Sequence, residues 1–487
     1  MRGFAEYETF DAIGLAGLVA RREVSAAELL DAALARAHAL NPQLNALTML
    51  QEDAARRLAV SGAPEGPLSG VPFLLKDLGG EAVDFPANNG SVLLKGIRYP
   101  RNSTLIDRLL ASGLVVFGRT TAPEGGVGAA TEAAVYGGPT RNPWNLDRTP
   151  GGSSGGSGAV VAAGIVPAAH GSDGGGSVRI PASCCGLFGF KPTRARLPEG
   201  PYAGEGWAGM ATEGFLTRSV RDTALLLDLT AGGDLGAPYC APPMRDSFMS
   251  AAKTSCAPLR IALCTTTLTG DPIDPECRAA VEDAARLLES LGHHVESARP
   301  LNANTNGMMR AWTDIVACGT TLWVRQALAA KGRALLPGDL ENVALSACEH
   351  AKTISGDAYL EAIEKIHMYG REMAEFFVDY DALLTATLAE PPARIGRFAH
   401  TRESYLDYRL GPDGIFNYSP FTASFNATGQ PAASVPLHWS AEGLPVGAHL
   451  AGRFGEDEML MSLCADLERA RPWFGRRPPV PVRTDAR

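Results

Sequence analysis

Residues 151–177 read GGSSGGSGAVVAAGIVPAAHGSDGGGS, with ten glycines and five serines in 27 positions. Glycine has no Cβ and weakens regular elements, so such a run alone would suggest a flexible linker. A linker, however, does not embed an apolar helix of Ala and Val in its middle, as Ser157 to Ala163 does here. Hydrophobic residues make up 45% of the 487-residue chain, enough for a folded core, which excludes disorder. The 54 glycines show no Gly-X-Y period, and 19 of them fall within residues 113–189. The fold therefore has to bring bare backbone close to something along this one segment.

Phosphate binding does not fit. A Walker loop needs Gly-Lys-Ser/Thr, and the segment has no lysine. Gly-x-Gly-x-x-Gly fails as well, because Val161 stands where its third glycine is required. Nucleophilic catalysis fits better. Ser177 follows Gly174-Gly175-Gly176, and consecutive glycines allow backbone N–H groups to converge on one point, as an oxyanion hole requires. A serine still needs a base. His170 and Asp173 invite a triad reading, but all three residues would then lie within eight positions, whereas triads draw on distant segments. Lys76 ends the apolar run Val71-Pro72-Phe73-Leu74-Leu75, and a lysine in apolar surroundings gives up its proton more readily. On the residues alone, a lysine that merely marks a strand end stays open.

Several function classes recede. With 44 basic and 53 acidic residues the net charge is −9, so no broad basic surface for nucleic acid is expected. The longest nearly uncharged apolar stretch, Ser157 to Ala169, is too short for a bilayer and contains Pro167. The N-terminal Met1 to Glu8 carries acids where a signal peptide would be apolar, so a cytoplasmic protein without membrane contact is expected. The nine cysteines form no Cys-x-x-Cys pair and the nine histidines are dispersed, so no metal site is read. His293-His294 read as surface residues.

Along the chain, Asp11 to Arg22 reads as a helix. Ser25-Ala26-Ala27-Glu28 is a capping box for a second helix that stops at Asn41-Pro42. A third covers about Gln51 to Val60, and Gly62 to Gly70 is a turn. Strands are expected at Val71 to Leu75, Leu114 to Phe117, Arg260 to Cys264, Tyr380 to Thr387, Pro431 to Pro436 and Val446 to Leu450. Helices are expected at Ser103 to Ser112, Asp274 to Leu291, through most of 305–380, and at Asp457 to Ala470. This alternation without repeats argues for an α/β protein, one large domain with a mixed sheet covered by helices on both sides.

Gly151-Gly152-Ser153-Ser154-Gly155-Gly156-Ser157, followed 24 residues after Ser153 by Ser177-Val178-Arg179-Ile180-Pro181-Ala182, resembles the amidase signature family. So do Gly70 to Asp77, Cys185 to Thr193, Asn426 to Ala432 and Gly443 to Gly447. The resemblance spans the chain and implies a single domain: an N-terminal helical segment (1–65), a signature core (66–200), pocket helices and loops (201–425), and C-terminal strands with a helix (426–487). It implies Ser177 as acylated nucleophile, Ser153 as a bridging serine on a cis peptide bond, and Lys76 as terminal base. It further implies the N–H groups of Gly174, Gly175, Gly176 and Ser177 as oxyanion hole, and Ser154 as a support that orients the lysine. Asp173 and Arg179 match structural positions. No cofactor and no metal are implied.

The implied activity is hydrolysis of carboxylic amide C–N bonds. Arg141 to Leu146, Ala169-His170-Gly171, Ser177 to Ser183, Ser219 to Asp222 and Cys240-Ala241-Pro242 look like the bacterial branch that acts on 6-aminohexanoate oligomers. Apolar linear or cyclic amides, aryl amides and carbamates are the expected small-molecule substrates, with a homodimer as a further expectation. The pocket is expected from the less regular segments Gly200 to Met210, Asn302 to Trp323 and Thr401 to Phe425, with Trp207, Cys318 and Phe425 as wall candidates. No basic cluster there demands an acidic substrate. At Gly174 many family members carry threonine instead. Two other readings are the ammonia-releasing chain of a tRNA-dependent amidotransferase and a non-catalytic binding protein on the same scaffold. The segment Tyr408 to Phe425 does not look like that amidotransferase chain, and the intact Lys76, Ser153 and Ser177 speak against a dead scaffold.

Overall fold

Ser25 Oγ accepts the Glu28 N–H at 3.2 Å while the Glu28 carboxylate accepts the Ser25 N–H at 2.9 Å, forming the capping box in full. In this computed structural model the helix it opens, Ala26–Leu44, does not stop at Pro42. Proline removes only one hydrogen bond near a helix end. Asn45 then closes the helix in the left-handed region (φ 48°), and Asn41 Oδ1 takes the N–H groups of Ala46 and Leu47. The structure describes residues 4–62 and 64–480. Met1 to Gly3 of the N-terminal segment, Ala63 of the expected turn and the last seven residues lie outside that range.

Among the described residues one sheet has eleven strands. They are β1 (Leu47–Thr48), β2 (Pro72–Lys76), β3 (Val115–Thr120), β4 (Ala168–Asp173), β5 (Phe188–Lys191) and β6 (Thr212–Thr217), followed by β7 (Arg260–Leu263), β8 (His294–Ser297), β9 (Ala382–Ala386), β10 (Ala432–Trp439) and β11 (Pro445–Gly452). Their order is β1-β3-β2-β4-β6-β5-β10-β11-β9-β7-β8. The β3-β2-β4 and β9-β7-β8 sets are parallel and the remaining pairs antiparallel, so the sheet is mixed, as the alternation of elements predicts. The central strands β2, β3, β9 and β11 are buried along their whole length, as strands covered on both faces must be. The molecule is a single large domain with helices over the sheet.

Two expectations are corrected. His293 is buried and its Nδ1 accepts the Leu259 N–H at 3.2 Å; only His294 is exposed. The segment Asn302 to Trp323 is largely regular, since a 27-residue helix, Thr305–Lys331, runs through it and buries Met308, Trp312, Ile315 and Val316. The site lies where β2 and β4 end together. They run parallel with Leu74 opposite Ala169, so Lys76 and Asp173 finish at the same edge. In open α/β sheets the carboxyl ends of parallel strands are where ligands sit.

Candidate active site

Lys76 is the last residue of β2 and is fully buried. Its Nζ lies 2.7 Å from Ser153 Oγ and 2.9 Å from Ser172 Oγ. Burial presses its pKa from 10.5 down to about 7, against the opposing pull of the Glu213 and Asp173 carboxylates. A lysine with this pKa is substantially neutral near pH 7 and can accept a proton.

Ser153 follows a cis Gly152–Ser153 peptide bond. The family resemblance implies Ser154 as a support that orients the lysine; the second hydroxyl at Nζ is that of Ser172. Ser154 stands one step back: its Oγ donates to the Ser172 carbonyl and accepts the Ser172 N–H, both at 3.2 Å. The Ser154 N–H also donates to the Ser177 carbonyl at 3.3 Å, tying the two serine-bearing segments together.

The glycine loop is clamped on both sides. The Gly174 carbonyl accepts from Trp312 Nε1 at 3.3 Å and the Gly175 carbonyl from Thr422 Oγ1 at 2.6 Å. Gly176 adopts φ +127°, a conformation that side chains avoid, and a Cβ there would collide with Thr422. Its N–H donates to Asp173 Oδ1 at 2.8 Å. Gly176, expected among the oxyanion donors, thus spends its N–H on a tether. Asp173 also accepts from the Val178 N–H, from Arg179 and from Asn426, all inside the protein. This network holds the Asp173 carboxyl well below the usual carboxylate range, chiefly through the Arg179 charge acting against burial. His170 has both ring nitrogens engaged away from Ser177: Nδ1 accepts the Lys76 N–H at 3.2 Å and Nε2 pairs with Glu213 at 2.7 Å.

Ser177 opens onto two cavities. The larger, about 400 Å³, also contains Ser153 and Ser172 and is walled by Leu78, Leu94, Leu322, Trp323 and Trp207, with Glu199 and Glu213 at its polar side. That volume falls in the range of small-molecule sites. The smaller, about 30 Å³, is bounded by Gly175, Ile180, Trp312, Phe416, Ser419 and Arg409. Trp207 lines both and meets Trp312 edge to face at 5.5 Å, and Trp312 meets Phe416 in the same way at 5.4 Å.

Of the wall candidates, Trp207 is therefore at the site. Phe425 is not: it is fully buried and its ring packs on His449 at 5.3 Å. Cys318 lines neither cavity, although its helix neighbour Gly319 lines the larger one. A helix turns 100° per residue, so adjacent positions face different ways. Sequence reasoning missed Ser172, Glu213 and Arg409. A period-two reading of β4 could have found Ser172, since it shares a strand face with His170 and both meet Lys76. No comparable signal marks Arg409, a single buried arginine at the smaller cavity where the sequence shows no basic cluster.

The family described as Amidase matches residues 28–461. The chain is 36% identical to the 6-aminohexanoate-cyclic-dimer hydrolase of Paenarthrobacter ureafaciens over 479 residues, 96% of each chain. A solved structure of a 6-aminohexanoate cyclic dimer hydrolase superimposes with a TM-score of 0.92 at 35% identity, covering 97% of this chain and 99% of that one. A bacterial aryl acylamidase is similar at a TM-score of 0.87 and 30% identity, covering 96% and 99%. A glutamyl-tRNA(Gln) amidotransferase chain from Thermotoga maritima is more distant, at 0.78 and 27%, covering 99% and 100%.

Proposed function

The chain belongs to the amidase signature family, hydrolases of carboxylic amide C–N bonds, and from that premise we propose a Ser177–Ser153–Lys76 acyl-enzyme mechanism acting on apolar amides. The observation that carries this reading is the fully buried Lys76, with a pKa pressed to about 7, at 2.7 Å from a serine that shares a cavity with Ser177.

Neutral Lys76 takes the proton of Ser153 as Ser153 takes that of Ser177. Ser177 Oγ bonds to the substrate carbonyl carbon, and the N–H groups of Gly174, Gly175 and Ser177 receive the oxyanion, that of Gly176 being held by Asp173. The proton then returns through Ser153 to the leaving nitrogen, the C–N bond breaks and the amine departs. Water loses a proton to the same relay and attacks the acyl carbon; the Ser177 Oγ–C bond then breaks, the relay returns the proton to Ser177 Oγ, and the acid leaves. Ser172 and, behind it, Ser154 position the lysine.

The larger cavity is mostly apolar and suits a linear or cyclic aliphatic amide or an aryl amide. Together with the relatives' activities this supports 6-aminohexanoate oligomers as the substrate class, with carbamates as a second one. Nine free thiols support a reducing, cytoplasmic setting, and a homodimer is the assembly this reading expects. The amidotransferase reading would require a partner protein that co-purifies.

The test is active-site labelling by a fluorophosphonate or PMSF, followed by peptide mass spectrometry. The adduct is expected on Ser177, and Ser177→Ala is expected to lower hydrolysis of an anilide by about 10⁴-fold or more, as loss of a serine nucleophile does elsewhere. Label on another residue, or a folded Ser177→Ala protein with most of its activity, overturns the assignment.

A further inference from the structure

Arg409 is 3% exposed and lines the small cavity beside Ser177 and Gly175. Neither its Nε nor its Nη2 has a hydrogen-bond partner among the described residues. Its charge rests on ring faces, with Trp312 at 4.7 Å, Tyr405 at 5.5 Å and Tyr408 at 5.8 Å. Aromatic faces attract a cation but do not satisfy its N–H groups, and an unmade bond to a buried charged group is costly. The two unpartnered nitrogens are adjacent on one guanidinium, the spacing that takes the two oxygens of a carboxylate. The cavity, at about 30 Å³, has room for roughly two water-sized groups, hence for two such oxygens. Among the described residues Arg409 is the one permanently positive group lining either cavity, whereas the titratable groups of the larger are the acids Glu199 and Glu213. A carboxylate on the substrate would therefore meet a fixed positive charge in the smaller cavity and none in the larger one.

We propose that Arg409 is a specificity residue that receives a carboxylate carried by the substrate and so orients it across Ser177. The inference rests on the reading of Ser177 as the acylated serine and adds a substrate class to it: amides with a free carboxylate on one side of the scissile bond. The carboxylate can belong to the acyl part, as in a dicarboxylic acid monoamide, or to the amine part, as in an N-acyl ω-amino acid.

The experiment measures binding by calorimetry to Ser177→Ala protein, so that turnover plays no part. One arm compares adipic acid monoanilide with hexananilide; the other compares N-acetyl-6-aminohexanoate with its methyl amide. In at least one arm the acid is expected to bind about 10-fold or more tighter than its neutral partner, and that arm reports which side of the bond Arg409 faces. Arg409→Met, which keeps the packing on Trp312, is expected to bring the ratio to about one. Arg409→Lys, which keeps the charge but not the fork, is expected to lower the ratio about 3- to 10-fold and remains informative if the methionine variant does not fold. Ratios near one in both arms with Arg409 in place, or a ratio that neither substitution changes, overturn the proposal. Hydrolysis and labelling of the parent protein test the role of Ser177 separately, so the two failures are distinguishable.

Discussion

The indole of Trp207 fills the space that a β-carbon on Gly174 would need, with its Cζ3 atom only 2.5 Å from that position. Gly174 is thus paired with a tryptophan that lines both cavities. Gly174→Ala is expected to displace Trp207 and lower kcat/KM about 10-fold or more, and adding Trp207→Ala is expected to restore part of it. A double-mutant cycle on kcat/KM checks this, with a coupling of about 1–2 kcal/mol expected for residues in contact. Additive effects would show that the two positions are independent.

In the proposed relay Lys76 serves as base only when neutral, so kcat/KM is expected to rise with pH up to about 7 and level off above it. Lys76→Ala should abolish this limb and regain some activity at high pH, where hydroxide replaces the base. Lys191 is a useful control, since burial presses its pKa to about 7 as well, with Arg179 adding to the effect. Lys191→Met should leave the limb in place. A profile that is flat in the parent protein, or that follows Lys191, would remove Lys76 from its role. The same burial affects stability with a defined sign. The folded lysine binds its proton less readily than the unfolded one, so stability contributed through Lys76 rises as pH increases from about 7 towards 10.5.

Ser172 touches Lys76 Nζ but not the reacting bond in the proposed mechanism. Ser172→Ala is expected to lower kcat about 10-fold with KM nearly unchanged and to move the pH limb, because one of the two hydroxyls at the amine is lost. A change in KM alone would assign Ser172 to substrate binding. Ser172→Thr, which keeps the hydroxyl, should recover most of kcat.

Asp173 and Arg179 form a fully buried pair. Removing one partner leaves the other charge uncompensated, so Asp173→Asn is expected to destabilise the protein by about 3–5 kcal/mol at pH 7 in denaturant unfolding. The Asp173 carboxyl is held below its ordinary value when folded. Its contribution is therefore present above the unfolded carboxylate range and fades as pH falls through the folded pKa. The variant should accordingly lose less stability on acidification than the parent. Equal losses would place the acid sensitivity elsewhere.

The chemistry of this site is written locally, and its geometry is not. Three glycines before Ser177, and a lysine ending an apolar run, carry their meaning in a few residues each, so the main candidates stand out in the sequence. Which hydroxyl meets Lys76 depends on the pairing of β2 with β4, and this long-range register puts Ser172 at the amine with Ser154 behind it. Phe425 and Arg409 fail for a related reason. Both come from short helices in the 405–428 stretch, where the choice between core and cavity depends on which helix face packs against Trp312 and His449. The helix through Pro42 shows the opposite error, a strong local stop signal outweighed by the side chain of Asn41.

The clamps on the glycine loop lie far downstream of it. Trp312, Thr422 and Asn426 bond to Gly174, Gly175 and Asp173 across 138, 247 and 253 residues. During synthesis Ser177 leaves the ribosome long before its surroundings exist, and the last of these clamps arrives only with residue 426 of 487. Competence for hydrolysis thus waits for the chain as far as Asn426, and a fragment ending upstream of it would carry Lys76, Ser153 and Ser177 without the backbone arrangement that the proposed mechanism needs.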